Sequence, residues 1–150
     1  MAKVFIYPAT SLILSDLVAR FGHKPIGAAL GIRERIQTAG VDSPPLQITP
    51  EEPKRGLKYA AVEVPSGVRG RMAIYGPLLD EAEAAIIVND ADLAFGCMGC
   101  ARTDELLLFI LRQSGIPILE LDYPGNEEEG VQFVAAVRKF LDNLPGEVES

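Results

Sequence analysis

The second half of the chain alternates predicted helices with predicted strands, and this alternation constrains the fold more than any other feature. The segment "PLLDEAEAAIIVNDA" from Pro77 predicts a helix, although its apolar run "AAIIV" could instead form a strand. A strand "DLAFGC", a helix "TDELLLFILRQSG", a strand "IPILELDYP" and a helix "NEEEGVQFVAAVRKFLDNL" follow. Strands separated by helices pair in parallel through right-handed crossovers, so a layered α/β domain is expected.

The first 40 residues predict one strand and two helices. "KVFIYP" is typical of a buried strand, because it is a short apolar run that Pro8 ends. In "ATSLILSDLVARFG" the apolar residues have helical spacing, with Thr10 or Ser11 as the N-cap and Gly22 as the stop. A second helix is predicted in "HKPIGAALGIRERIQTAG", because Pro25 suits a first helical turn.

The middle of the chain is less regular. Residues 41–56 contain four prolines, which exclude a helix interior or a central strand and predict an extended connector. The runs "LKYAAVEV" and "RMAIYG" flank the turn-like "PSGVRG" and predict a β-ribbon around residues 57–76.

Chain length and composition fit one domain over residues 1–150, with a loose acidic tail at 145–150. Hydrophobic residues make up 48% of the chain, which is enough to build a core. Together with the alternation of elements, this predicts a single α/β/α domain of the Rossmann or flavodoxin type, with a mainly parallel sheet and the added β-ribbon.

The charge and hydropathy of the chain argue against two classes of partner. The formal net charge of −7 disfavours nucleic acid and anionic lipid surfaces. No apolar run approaches the roughly 18 to 20 residues of a membrane span. The start "MAKVFIYPATSL" lacks the apolar helical region and cleavage site of a signal peptide, so a cytoplasmic location is expected.

The two cysteines of the chain lie in "FGCMGCAR". Cys97 is predicted to end a strand, and Cys100 to lie in the loop before a helix that Thr103 caps. Ligands of open α/β sheets bind at this carboxyl edge, beside helix N-termini. Gly96 and Gly99 would let the backbone turn sharply there.

Three interpretations of this pair stay open. As metal ligands, Cys97 and Cys100 are two where zinc sites and iron–sulfur clusters normally need four, so a second chain would have to supply the rest. As a redox dithiol they need no other ligand, but the helix is predicted to start only at Thr103, and Asp104 and Glu105 would oppose thiolate formation. As inert residues they would simply line a glycine turn.

A basic group stands out in this acidic chain. Five of its 14 basic residues fall between positions 54 and 71, and a single acidic residue lies among them. Their guanidinium and ammonium groups predict a site for an anion or an acidic partner surface, although a solvated, salt-bridged surface would give the same pattern. The five residues are Lys54, Arg55, Lys58, Arg69 and Arg71.

Long stretches of the chain resemble a known family. They are "VFIYPATSLILSDLVARFGH", "TAGVDSPPLQITPE", "RGLKYAAVEVPSGVRGRMAIYGPLLDEAEAAIIVNDADLAFGCMGCART" and "GIPILELDYP". Together they are similar to the methanogenesis marker protein 5 family of archaeal methanogens, from Val4 to about Leu141.

The resemblance implies an accessory protein rather than an enzyme. Marker proteins of this group are associated with the maturation or activation of methyl-coenzyme M reductase, and some are linked to iron–sulfur chemistry in multi-protein assemblies. It therefore implies protein partners, or a homodimer, and an iron–sulfur cluster shared across an interface to which Cys97 and Cys100 contribute. A thiol–disulfide oxidoreductase and a scaffold with inert cysteines are the alternatives.

Overall fold

The computed structural model describes residues 1–9, 11–27, 51–61, 63–64, 66–89 and 98–145. Within these residues the chain forms four strands, five α-helices and one 3₁₀ helix. In chain order they are β1 (Lys3–Tyr7), α1 (Leu12–Arg20), β2 (Lys24–Ile26), α2 (Glu51–Arg55), the 3₁₀ helix (Gly56–Lys58), α3 (Ser66–Glu81), β3 (Ala84–Asn89), α4 (Met98–Gln113), β4 (Ile118–Asp122) and α5 (Glu127–Asp142).

The four strands form one sheet in the order β2-β1-β3-β4, and every pair of neighbours is parallel. β1 and β3 are the inner strands, and their near-continuous apolar sequences fit burial on both faces. This arrangement confirms the α/β class and the parallel sheet that the alternation of elements predicts.

By internal contacts the chain divides into two compact units, which interleave along the sequence. The first comprises Met1–Gly27, Ala82–Ala94 and Ile116–Ser150, and contains the whole sheet with α1 and α5. The second comprises Ala28–Glu81 and Phe95–Gly115, and contains α2, α3 and α4. The single-domain organisation stays a prediction.

In the first unit, α1 and α5 pack on the same face of the sheet. Both helices start where the sequence rules place them: Ser11 Oγ accepts the Leu14 N–H at 3.3 Å, and Asn126 Oδ1 accepts the Glu129 N–H at 2.9 Å. Side chains from both helices and from the two inner strands form one buried cluster: Val4, Ile6, Leu14, Val18, Ala84, Ile86, Val88, Val137 and Leu141, with smaller contributions from Ala2 and Leu144.

His23 joins distant parts of this unit. Its Nδ1 accepts the backbone N–H of Ala2 at 3.1 Å, and its Nε2 lies 2.9 Å from the carbonyl oxygen of Leu141. The pair of contacts requires the neutral tautomer with the proton on Nε2. The ring thereby links the residue before β1 to the end of α5.

In the second unit, α3 packs against α2, the 3₁₀ helix and α4. Gly56 is buried there because its backbone meets the backbone of Arg69: a Cβ at position 56 would overlap the Arg69 carbonyl. Gly76 has a matching role, since a Cβ there would overlap the ring of Tyr59. Both close approaches require residues without a side chain.

The β-ribbon predicted around residues 57–76 is wrong. Residues 56–58 form the 3₁₀ helix, and residues 66–81 form the single helix α3. The buried positions Val68, Met72, Gly76 and Leu79 repeat at helical spacing. Glycines and a proline give this segment low intrinsic helix propensity, and packing against the neighbouring helices overrides it.

Two further elements differ from prediction. The helix predicted to begin at Pro77 begins at Ser66 instead, so Pro77 lies inside α3, and "AAIIV" forms β3 as the alternative had it. The helix predicted from Pro25 is replaced there by β2. The N–H of Lys24 donates to the carbonyl oxygen of Ala2, just before β1, so the nitrogen of Pro25 faces away from β1 and its missing N–H costs nothing.

Part of the connector predicted at 41–56 is helical. Glu51–Arg55 forms the short helix α2, so the predicted extended conformation is wrong there. Several predicted segments lie outside the described residues: 41–50 of the connector, 28–40 of the second predicted helix, the predicted strand "DLAFGC" and the tail beyond Pro145. In the part of the chain that the structure describes, no helix has both the length and the apolar character to cross a membrane.

The close backbone approach at Gly56 predicts a large effect of one methyl group. Gly56→Ala should lower the free energy of unfolding by about 1–3 kcal/mol, because overlap with the Arg69 backbone forces the helices apart. Urea denaturation measures this. Gly130→Ala in α5 is the matched control, since a Cβ there meets no atom within 4 Å. It should raise the free energy of unfolding by about 0.5–1 kcal/mol. Equal effects of the two changes would contradict the assigned packing.

Candidate functional site

The cysteine motif coincides with the start of α4. The helix begins at Met98, so Cys100 has a helical backbone in the first turn, and Cys97, which lies outside the described residues, directly precedes the helix in sequence. The prediction that the helix starts at Thr103 is therefore wrong. Thr103 is buried inside the helix and does not cap it.

The register of α4 explains why the helix continues past the predicted cap. Cys100, Thr103, Leu107 and Leu111 are spaced by three and four residues, and the last three of these positions are buried. Thr103 thus belongs to the buried stripe of the helix, although Gly99 and Thr103 predicted a loop and a cap there. At the other end the helix ends at Gln113, two residues before Gly115, whose φ of +76° is the left-handed conformation common after helix ends.

The start of α4 is electrostatically suited to an anion such as a thiolate. The first four N–H groups of an α-helix have no partner within the helix, and the helix dipole places partial positive charge there. The first turn of α4 contains no acidic residue. Asp104 and Glu105, expected to oppose thiolate formation at the helix start, instead lie beyond the first turn, where the dipole effect fades.

A metal site cannot be assembled from the described side chains. Among them, no three histidine, cysteine, aspartate or glutamate residues converge in a way that could hold a metal ion. The imidazole of His23 is engaged by Ala2 and Leu141. Because Cys97 and the side chain of Cys100 lie outside the described residues, the predicted iron–sulfur ligation stays a prediction.

The five basic residues all belong to the second unit. Lys54 and Arg55 end α2, Lys58 ends the 3₁₀ helix, and Arg69 and Arg71 lie on α3. Lys54, Arg55 and Lys58 are exposed, whereas Arg69 and Arg71 are half-buried. The structure thus places all five on α2, the 3₁₀ helix and α3, which pack together.

Arg69 has a structural role within this group. Its Nε donates to the carbonyl oxygen of Val64 at 3.1 Å, and its Nη1 donates to that of Pro53 at 3.2 Å. The guanidinium therefore satisfies two carbonyl groups in segments that precede α3. Any anion bound at this surface would share Arg69 with these contacts.

Lys58 belongs to a small cluster that the sequence does not reveal. Asp80 Oδ2 accepts the phenolic O–H of Tyr59 at 2.8 Å and lies 3.4 Å from Lys58 Nζ. The Lys58 ammonium also lies 5.2 Å from the centroid of the Tyr59 ring. Asp80 is more than twenty positions away in sequence and lies in a segment predicted as a different element, so no local signal could have found this cluster.

The cluster raises the pKa of both Tyr59 and Lys58. Burial, followed by the hydrogen bond to Asp80, raises the pKa of Tyr59 above its ordinary value of 10.0. The hydrogen bond with Tyr59, and after it the contact with Asp80, raises the pKa of Lys58. At neutral pH Lys58 is therefore charged and Tyr59 neutral, and a positive charge remains at the surface beside the carboxylate.

Comparison with known proteins identifies the family. Residues 2–144 match the model of the family DUF2112, described as "Uncharacterized protein conserved in archaea". The chain belongs to this archaeal family. It is 60% identical over 144 residues to "Uncharacterized protein MJ0404" of the methanogen Methanocaldococcus jannaschii, a match that covers 96% of each chain. No solved structure matches the chain significantly.

The raised pKa of Tyr59 predicts how stability changes in alkali. The folded state holds the phenolic proton more tightly than the unfolded state, so this contribution is complete below pH 10 and is lost as pH rises through the folded pKa. The free energy of unfolding should fall more steeply above pH 10 in the parent than in Tyr59→Phe. Urea denaturation from pH 8 to 11.5 measures the difference. Parallel curves for the two proteins would contradict the assignment.

Proposed function

We propose that this chain is an accessory protein of methanogenesis, of the marker protein 5 type, which acts in the cytoplasm in the maturation or activation of methyl-coenzyme M reductase. Two observations support the proposal: the similarity of long sequence stretches to that family, and the high identity to a protein of a methanogenic archaeon. An assembly role, rather than an enzymatic one, fits a chain with only two thiols and one histidine, the latter engaged in packing.

The observation that carries the proposed iron–sulfur role is the position of the cysteine motif at the N-terminus of α4. Thiolates are stabilised at a helix N-terminus, and thiolates are the ligands of iron–sulfur clusters. We propose that Cys97 and Cys100 supply two ligands to such a cluster. The donor set fits half of a four-thiolate site, so a partner protein, or a second copy of this chain, supplies the other half.

When bound, the cluster would supply one-electron transfer, and the protein's own contribution is to hold two thiolates at a charge-compatible helix end. The five basic residues from Lys54 to Arg71 would then form an anion-binding or partner-binding surface of the second unit. Arg69 would share its guanidinium between any bound anion and the two backbone carbonyl groups to which it donates.

Anaerobic co-purification from the native host tests the cluster. The parent chain should co-purify with partner proteins, and with iron and acid-labile sulfide in the same sample. In Cys97→Ser and Cys100→Ser the iron and sulfide should fall to the background level, because serine removes the thiolate ligand. Iron is measured by mass spectrometry, with the partners identified in parallel.

The matched control for these variants is Ser114→Ala, which changes an exposed hydroxyl just beyond the C-terminal end of the same helix. It should leave iron and partners unchanged. Two results would contradict the proposed ligation. The parent complex could contain no iron, or the complexes of both serine variants could keep the iron content of the parent.

The start of α4 at Met98 also favours a second function, that of a thiol–disulfide oxidoreductase. A cysteine directly before a helix start is the arrangement that lowers a thiol pKa in such proteins. This alternative predicts a reversible Cys97–Cys100 disulfide and a thiol that reacts with iodoacetamide well below pH 8.5. Ordinary alkylation kinetics together with irreversible oxidation would rule it out. Full complex formation by the double serine variant would instead favour a scaffold with inert cysteines.

A further inference from the structure

The last turn of α3 follows a weak point in the helix. Pro77 lies inside α3 and has no N–H to donate to the carbonyl oxygen of Ala73, four residues earlier. Gly76, directly before Pro77, has low helix propensity because it lacks a side chain. A proline in the interior of a helix weakens or kinks the helix at that position. The turn formed by residues 77–81 is therefore joined to the helix less firmly than the turns before it.

Tyr59 contacts α3 on both sides of this weak point. Its ring lies so close to the backbone of Gly76 that a Cβ there would overlap it. Its hydroxyl group donates to Asp80 Oδ2 at 2.8 Å, beyond Pro77. Tyr59 itself lies outside α3, directly after the 3₁₀ helix. One side chain of a neighbouring segment thus spans the interrupted turn, and Lys58 adds a longer contact of 3.4 Å to the same carboxylate oxygen.

Fixed backbone positions lie before and after the turn. Before it, Met72 and Gly76 are buried positions of α3. After it, Glu83 is bound twice to Lys3: its N–H donates to the Lys3 carbonyl oxygen at 2.8 Å, and its Oε2 accepts the Lys3 N–H at 2.7 Å. A local rearrangement between these positions is therefore confined to residues 77–82.

Two kinds of contact keep the turn helical. Leu78 and Leu79 are buried, so the helical form dominates and an open form is a minor state. The carboxylate of Asp80 is different, since its side chain is 56% exposed and water competes for it. If residues 77–81 left the helix, their rise would grow from 1.5 Å to about 3.3 Å per residue, and the connection to β3 would lengthen by roughly 9 Å.

We propose that residues 77–81 form a hinge turn, which opens at Gly76–Pro77 while the rest of α3 stays folded. The hydrogen bond between Tyr59 and Asp80 is the latch that holds this hinge turn closed. Opening supplies additional length to the chain between α3 and β3. The inference goes beyond the proposed role of the cysteines and does not depend on it, because no thiol takes part.

Amide hydrogen exchange of the full chain, resolved by NMR to single residues, tests the proposal. Tyr59→Phe keeps the ring against Gly76 and removes only the hydroxyl group. The amides of residues 78–81 should then exchange about fivefold faster, because a hydrogen bond that favours the closed turn is lost. The amides of residues 70–75, which precede the weak point, should exchange at the parental rate.

A second variant tests whether Pro77 is the cause of the weak point. Pro77 is exposed, so Pro77→Ala disturbs no core packing and supplies the missing N–H. In this variant the amides of residues 78–81 should exchange more slowly than in the parent. Adding Tyr59→Phe to it should change their exchange by less than about twofold, because the turn is then joined to the helix by its own hydrogen bond.

The matched control is Tyr123→Phe, which removes the hydroxyl group of an exposed tyrosine in the first unit and should leave exchange in α3 unchanged. Three results would overturn the proposal. Exchange at residues 78–81 could be the same in Tyr59→Phe as in the parent. It could rise equally at residues 70–75, which would mean that α3 opens as a whole. The effect of Tyr59→Phe could also be just as large when Pro77 is replaced by alanine.

Discussion

Parallel pairing of β3 with β1 on one side and β4 on the other is the constraint on which the first unit depends. β3 is buried over Ala84–Val88, so its backbone groups have to be satisfied by the neighbouring strands. Parallel pairing in turn requires helical crossovers, which is why α1 and α5 start at the same edge of the sheet and can share one hydrophobic cluster.

The second unit depends on a different device, the close approach of helix backbones. Gly56 and Gly76 let the Arg69 backbone and the Tyr59 ring come nearer than any side chain would permit. The guanidinium of Arg69 then satisfies carbonyl groups in the segments before α3. Arg69, predicted as part of an anion site, thus also links these segments structurally. In the cluster of Lys58, Tyr59 and Asp80, by contrast, the charged groups lie at the surface.

Sequence patterns were informative where one local rule dominated. The strands β1 and β4, the cap at Ser11 and the parallel sheet followed from apolar runs, capping chemistry and alternation. The sequence patterns gave wrong predictions in two places. In α3, glycine and proline predicted turns, but packing against the neighbouring helices stabilises the helix. At the start of α4, Thr103 was predicted as a cap, although the helix begins at Met98. Contacts between residues far apart in sequence, such as Tyr59 with Asp80, have no local signature at all.

The account of the cysteine pair depends on where α4 begins, since a helix start at Met98 places Cys100 in the first turn, at the positive end of the helix, and Cys97 directly before the helix in sequence. The most direct test is the set of backbone Cα chemical shifts for residues 96–105 of the full, reduced chain in solution. The account predicts helical shifts from Met98 onward. Helical shifts that begin only at Thr103 would contradict it, because the motif would then lie in a loop and lose the electrostatic basis for holding thiolates.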